Sequence, residues 1–167
     1  MNLDELPDEA SVLIDANILL YGARKMSPQC ARLLVRCAKL EIRGFVSALT
    51  LAEFCHRRMM QEAQSLALAG SNPARQLSRK PEVLSSLHHY RADVRDMLGG
   101  DLAIVELCAD DVSRALEIQE KHRLMTNDSL FVAAACRLGI PAIASADPQF
   151  DSVPGLTRYA PTDLVMV

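Results

Sequence analysis

The sequence contains no tryptophan, and only 4% of its residues are aromatic. Its core must therefore be assembled from Leu, Ala, Ile, Val and Met. Half of the 167 residues are hydrophobic, enough for one domain of ordinary size. The bias towards Ala and Leu favours helices over an all-β fold. No CxxC pair occurs among the five cysteines, Cys30, Cys37, Cys55, Cys108 and Cys136. An odd count without paired spacing argues against a disulfide framework and against a structural zinc site. Cys30 and Cys37 are seven residues apart, share a helix face and read as core packing. No apolar run reaches membrane-spanning length, and the opening MNLDELPDEAS is too acidic for a signal peptide. The expectation is a soluble, cytoplasmic protein with no membrane partner.

Several chemistries lack their motifs. There is no GxxxxGK[ST] or GxGxxG loop for nucleotide phosphates, no HExxH and no GxSxG elbow. No internal repeat or low-complexity tract is present. Excess positive charge is missing too, since the formal net charge is −3. That counts weakly against a nucleic-acid binder. It is compatible with a protein that gathers carboxylates around cations, because the ions reverse the local field. Basic groups remain at His56–Arg58, at Arg75, Arg79 and Lys80, and at His88–Arg91. They read either as phosphate-holding surfaces or as solvated faces.

What is present is an alternation of short apolar runs and helical periods. Residues 12–16 read as a buried strand ending near Asp15. Ser27-Pro28 marks a helix start, with Ser27 as N-cap and Pro28 at the first position, and Gly44 ends that helix. Residues 45–48 form a second strand. A helix runs from Thr50 to about Ala69 and breaks at residues 70–73. Another runs from Pro81 to about Leu98 and closes at Gly99-Gly100. A strand over 103–107, a helix from Asp110-Asp111 to about Arg123, a helix over 130–138, a strand over 141–145 and a short strand at 156–159 complete the chain. Strands alternating with helices predict an α/β fold, with a parallel sheet covered on both faces. The whole chain, 1–167, reads as one domain with a helical arm at about 62–100. Leu84, Leu87, Val94 and Leu98 in that arm are expected to pack on the domain core; the alternatives are a dimer interface, an RNA-binding surface or a seat for a partner peptide.

Four acidic residues stand out. Asp15 ends a buried strand, where a carboxylate must be paired, hydrogen-bonded or bound to a cation. Glu53 stands three after Thr50, a capping-box spacing. Asp128 lies beside a helix start, as an N-cap or dipole partner. Asp147 precedes Pro148 and fits a turn. In a parallel sheet, strand ends and helix starts share one edge, where active sites form. Four carboxylates converging there repel one another and have raised pKa values. A divalent cation removes that repulsion, and oxygen-only ligands suit Mg²⁺ or Mn²⁺ rather than zinc. His56, one turn after Glu53, reads as a surface or packing residue.

Four segments resemble the PIN-domain family, especially the toxin nucleases of VapBC toxin–antitoxin pairs. They are Val12-Leu13-Ile14-Asp15-Ala16-Asn17-Ile18-Leu19-Leu20-Tyr21, Ser47-Ala48-Leu49-Thr50-Leu51-Ala52-Glu53-Phe54, Thr126-Asn127-Asp128-Ser129-Leu130-Phe131-Val132-Ala133-Ala134, and Ala144-Ser145-Ala146-Asp147-Pro148-Gln149-Phe150. The resemblance implies a three-layer α/β/α sandwich with a mainly parallel sheet. It also implies Mg²⁺- or Mn²⁺-dependent hydrolysis of RNA. By this match Asp15, Glu53, Asp128 and Asp147 are metal ligands or their supports. Asn17, Ser145 and Asp151 are supporting residues that position water, metal or carboxylates. An antitoxin partner and a homodimer are further implications. The stretch between Glu53 and Asp128 is long for the compact toxin type, and the excess falls in the 62–100 arm. Two other readings compete: a non-catalytic PIN-like module that binds RNA or protein, and a phosphohydrolase of the haloacid-dehalogenase type. The latter normally ends its opening strand in Asp-x-Asp, and here the second position is Asn17.

Overall fold

A computed structural model describes residues 1–70 and 72–164. Five strands, β1 (Ser11–Ile14), β2 (Arg43–Ser47), β3 (Ala103–Val105), β4 (Ala142–Ala144) and β5 (Thr157–Tyr159), form one sheet in the order β3-β2-β1-β4-β5. Every pairing is parallel. Eight α-helices accompany them among the described residues: α1 (Ala16–Ala23), α2 (Pro28–Ala38), α3 (Ala48–Ser65), α4 (Pro73–Ser78), α5 (Pro81–Ser86), α6 (His89–Gly99), α7 (Ala109–His122) and α8 (Thr126–Leu138).

Strand β1 shows how the layers arise. Side chains alternate across a strand, so Val12 and Ile14 enter one core and Leu13 enters the other. The first core joins Val12 and Ile14 to Ile18 and Leu19 of α1, Cys30 and Leu33 of α2, and Phe54 of α3. The second joins Leu13 and Ile143 to Phe131, Val132 and Ala135 of α8, with Ile118 of α7 against them. The result is the expected α/β/α sandwich. Val12, Leu13 and Ile14 are fully buried, which explains why β1 is a continuous apolar run. Cys30 and Cys37 lie in the first core, as the helical spacing predicted.

Several boundaries differ from the sequence reading, each for a tertiary reason. Gly44 does not end α2. That helix stops at Ala38, and Gly44 lies inside β2, where an added Cβ would meet Leu102 Cδ2 at 2.6 Å and Cys37 Sγ at 2.7 Å. The glycine serves close packing of helix on strand. Helix α3 begins at Ala48 and not Thr50, because Ser47 leaves the strand and caps it, its hydroxyl accepting from Thr50 N at 3.0 Å. Helix α1 directly follows Asp15, a helix the sequence pattern did not reveal.

The arm is helical, but it is three short helices rather than one long one after the break. The 81–98 helix divides at Leu87-His88 because a distant residue caps a new start. Glu62 of α3 is buried, and its carboxylate accepts from the backbone N–H of His88 (2.7 Å), His89 (3.0 Å) and Tyr90 (2.8 Å). Burial opposes that charge, yet the three amides outweigh it and hold the Glu62 carboxyl below its ordinary value. Leu87 is fully buried in a small satellite core with Ala63, Ala69 and Leu77, and Leu84 packs against it. Val94 reaches the first core, whereas Leu98 is exposed and Met97 packs there instead.

Glu62→Gln keeps the shape but loses the charge that binds three amides. The expected loss is about 1–2 kcal/mol of stability at neutral pH, read by urea denaturation. It comes with faster hydrogen exchange at the amides of residues 88–90. Because the native value is depressed, the wild-type advantage is present above about pH 4.5 and shrinks as pH falls through the native value.

Candidate active site

The sheet order reverses at β1. The chain moves outward to β2 and β3 on one side and places β4 and β5 on the other. The C-terminal ends of β1 and β4 therefore flank the switch point, where parallel sheets leave a crevice. The register sets Ile14 beside Ala144, so the next residues, Asp15 and Ser145, are neighbours. Asp15 N–H donates to Ala144 O at 3.0 Å, and Ser145 N–H donates to Tyr159 O at 3.0 Å.

A tight polar knot forms there. Ser145 Oγ–H donates to Asp15 Oδ2 at 2.6 Å, and Asn17 Nδ2 donates to the same oxygen. Ala16 N–H donates to Asp15 Oδ1 at 2.6 Å, making Asp15 the N-cap of α1. Asn17 Oδ1 accepts from Ala146 N–H at 3.1 Å, tying α1 to the loop after β4. Asp147 N–H donates to Ser145 Oγ at 3.0 Å. Burial pushes the Asp15 carboxyl up. The bonds from Ser145 and Ala16 pull against that, the Glu53 charge adds to it, and Arg57 opposes it.

Asp128 is the third residue of α8, in its first turn. It is not the N-cap, which is Met125 and has no capping side chain. A helix N-terminus favours a carboxylate, yet the Asp128 carboxyl is pushed up to about 6. Burial is the largest cause, followed by the negative charges of Asp15, Asp147 and Glu53. The other three predicted acids thus all lie within charge range of Asp128.

Glu53 has no capping role. Ser47 and Thr50 satisfy the start of α3 between them, their hydroxyls 2.8 Å apart. Glu53 Oε1 instead meets Arg57 Nη2 at 2.7 Å, one turn along the helix. Asp147 does make the expected turn: it caps the short 3-10 helix Pro148–Ser152 through Gln149 N–H, at 2.8 Å. Asp151 stands outside the carboxylate group. Both its oxygens are held by Arg158, at 2.8 and 2.7 Å, and Arg158 also donates to Ser145 O at 3.3 Å. Arg158 feels the charge of Asp147 as well. The sequence reading missed Arg158, because only β5 beside β4 brings it near. Arg57 carried a local signal, four residues after an acid on a helix.

The donor set around the crevice is all oxygen, which fits Mg²⁺ or Mn²⁺. Burial and the like charges of Asp15, Asp147 and Glu53 together disfavour ionisation of Asp128. Among the described residues no three His, Cys, Asp or Glu side chains already converge on one point. Three of the four acids are turned to local donors instead: Asp15 to Ser145 and Asn17, Glu53 to Arg57, Asp147 to Gln149.

The PIN-domain sequence profile matches residues 12–156. The chain belongs to the PIN-domain family. Solved structures share the PIN fold at low identity. VapBC2 from Rickettsia felis, bound to a DNA fragment from its promoter, is 16% identical with a TM-score of 0.59, covering 90% of this chain and 98% of that one. A toxin–antitoxin complex from Klebsiella pneumoniae is 16% identical, TM-score 0.54, with 87% and 95% covered. VapC20 of Mycobacterium tuberculosis, a sarcin–ricin loop cleaving toxin, is 14% identical, TM-score 0.55, with 84% and 93% covered. No curated protein matches the sequence.

The raised Asp128 carboxyl of this PIN domain has a consequence for metal-free stability. A raised native value means that Asp128 contributes most below its unfolded value near 3.8 and loses that contribution as pH rises through about 6. Asp128→Asn stays neutral. Its stability relative to wild type is expected to climb between pH 4 and pH 7 and then level off, measured by urea denaturation in EDTA. A difference that is flat with pH would contradict the cluster electrostatics.

Proposed function

We propose that this PIN domain is a metal-dependent ribonuclease, with Asp15, Glu53, Asp128 and Asp147 as ligands of Mg²⁺ or Mn²⁺. The observation that carries the reading is Asp128, raised to about 6 in part by the charges of the other three. A binding module has no need of a carboxylate cluster that repels itself. The haloacid-dehalogenase alternative loses its support with family membership.

Asp15, Glu53, Asp128 and Asp147 would hold the cation, which would supply polarisation of the phosphodiester and a lowered pKa of water. The chain's own residues prepare the place for it. Ser145 and Asn17 fix Asp15, and Ser145 also holds the backbone of Asp147. These bonds set two acids from opposite sides of the switch point in one orientation. The N-terminus of α8 supports negative charge at Asp128. Asp128 holds a proton below about pH 6, so metal binding and cleavage weaken as pH falls through that value. Asp151 acts at one remove, fixing Arg158 against the Ser145 carbonyl.

The finer reading is that of a toxin with an antitoxin partner, acting on RNA in the cytoplasm. It draws on the similar solved structures, which are VapBC and toxin–antitoxin assemblies. No helix among the described residues is long and apolar enough to cross a membrane. Assembly as a homodimer belongs to the same reading. Val112 and Leu116, one turn apart on α7, are both more than half exposed and offer an apolar face for it.

Cleavage of a mixed RNA pool with Mg²⁺ or Mn²⁺ tests the proposal. Asp15→Asn and Asp128→Ala are each expected to lower the rate at least about a hundredfold, with circular dichroism showing retained fold. Equal cleavage by wild type and both variants would sink the assignment.

A further inference from the structure

Arg57 is an exposed arginine whose one ionic partner among the described residues is Glu53, one of the four predicted acids. Its Nη2 lies 2.7 Å from Glu53 Oε1, and its charge reaches Asp15. The Arg57 side chain is about half exposed, 53%, while that of Glu53 is 28% exposed. Arg57 is thus the more exposed end of the pair and Glu53 the more enclosed. The other arginine near the cluster, Arg158, is already neutralised by Asp151. Arg57 is therefore a cation at the edge of the carboxylate group, paired with one acid and felt by another.

We propose that Arg57 is a substrate-binding residue that passes from Glu53 to an RNA phosphate when a divalent cation takes the carboxylate. The inference rests on the ribonuclease reading above. A cation among these acids competes with Arg57 for Glu53, and two positive charges at the same carboxylate repel each other. Arg57 then has no carboxylate of its own, since among the described residues it pairs with Glu53 alone. A phosphodiester carries the one negative charge that balances it, and guanidinium matches phosphate oxygens with two parallel hydrogen bonds. Helix α3 sets the geometry, because residues four apart stand one above the other. Arg57 is held one helical turn beyond Glu53, within reach of a chain that passes the carboxylates. The plain alternative is an i,i+4 surface pair with no further role.

Two readouts on the intact chain separate these. Mn²⁺ affinity is measured by calorimetry at 0.15 M salt, where exposed charges more than about 8 Å apart are screened. Arg57→Gln is expected to bind Mn²⁺ about three- to fivefold more tightly than wild type. Arg79→Gln, which removes an exposed cation from the arm, leaves that affinity unchanged. In RNA cleavage, Arg57→Gln is expected to raise KM about tenfold, the size of one charge-assisted hydrogen bond. The change in kcat stays within about threefold, and Arg57→Lys recovers most of the KM. If wild type binds Mn²⁺ and cleaves RNA while Arg57→Gln shifts neither affinity nor KM, Arg57 is a surface pair and the proposal is overturned alone. If wild type neither binds Mn²⁺ nor cleaves RNA, the ribonuclease reading falls and takes this proposal with it.

Discussion

Asp15 terminates the central strand of the sheet, and its oxygens are held by groups from both sides of the point where strand order reverses. A carboxylate that leaves water must find donors or a cation. Ser145 supplies one hydrogen bond from the end of β4 and Asn17 another from α1, while Ala16 closes the cap. These contacts join two strand ends that lie about 130 residues apart in sequence. The crevice keeps its shape because the same atoms that satisfy Asp15 also tie the loop after β4 to α1.

The remaining acids come to this edge for separate local reasons. Parallel strands all end on the same side, and the helices that follow begin there. Glu53 is in the second turn after β2, Asp128 in the first turn of α8, and Asp147 in the turn after β4. Each position is ordinary alone. Burial first, and then the negative charges of these neighbours, raise Asp128 to about 6. The arm is stabilised independently. Glu62 caps α6 and Arg58 pairs with Asp93, so α3 links the crevice at one end to the arm at the other.

Much of this was legible in the sequence, because the signals were local. Asp15 is marked by the apolar run before it, and Ser27-Pro28 starts α2 where its chemistry demands. The parallel sheet follows from alternation of strand and helix. The misreadings involve residues whose meaning is tertiary. Gly44 looks like a helix stop, but its bareness admits Cys37 and Leu102. Ser47 ends a strand and caps a helix at once, which hid the true start of α3 and lent Glu53 a capping role it does not have. The division of the arm at His88 depends on Glu62, twenty-six residues earlier. Arg158 gains its place only through β5 pairing with β4.

The central claim is that the four carboxylates gather to hold a divalent cation. A crystal soaked in Mn²⁺ and recorded at the manganese absorption edge tests it most directly. The account predicts an anomalous peak within about 2.5 Å of oxygens from at least two of Asp15, Glu53, Asp128 and Asp147, with Glu53 turned away from Arg57. A saturating soak that leaves this crevice without a peak, and Glu53 still paired to Arg57, would contradict it.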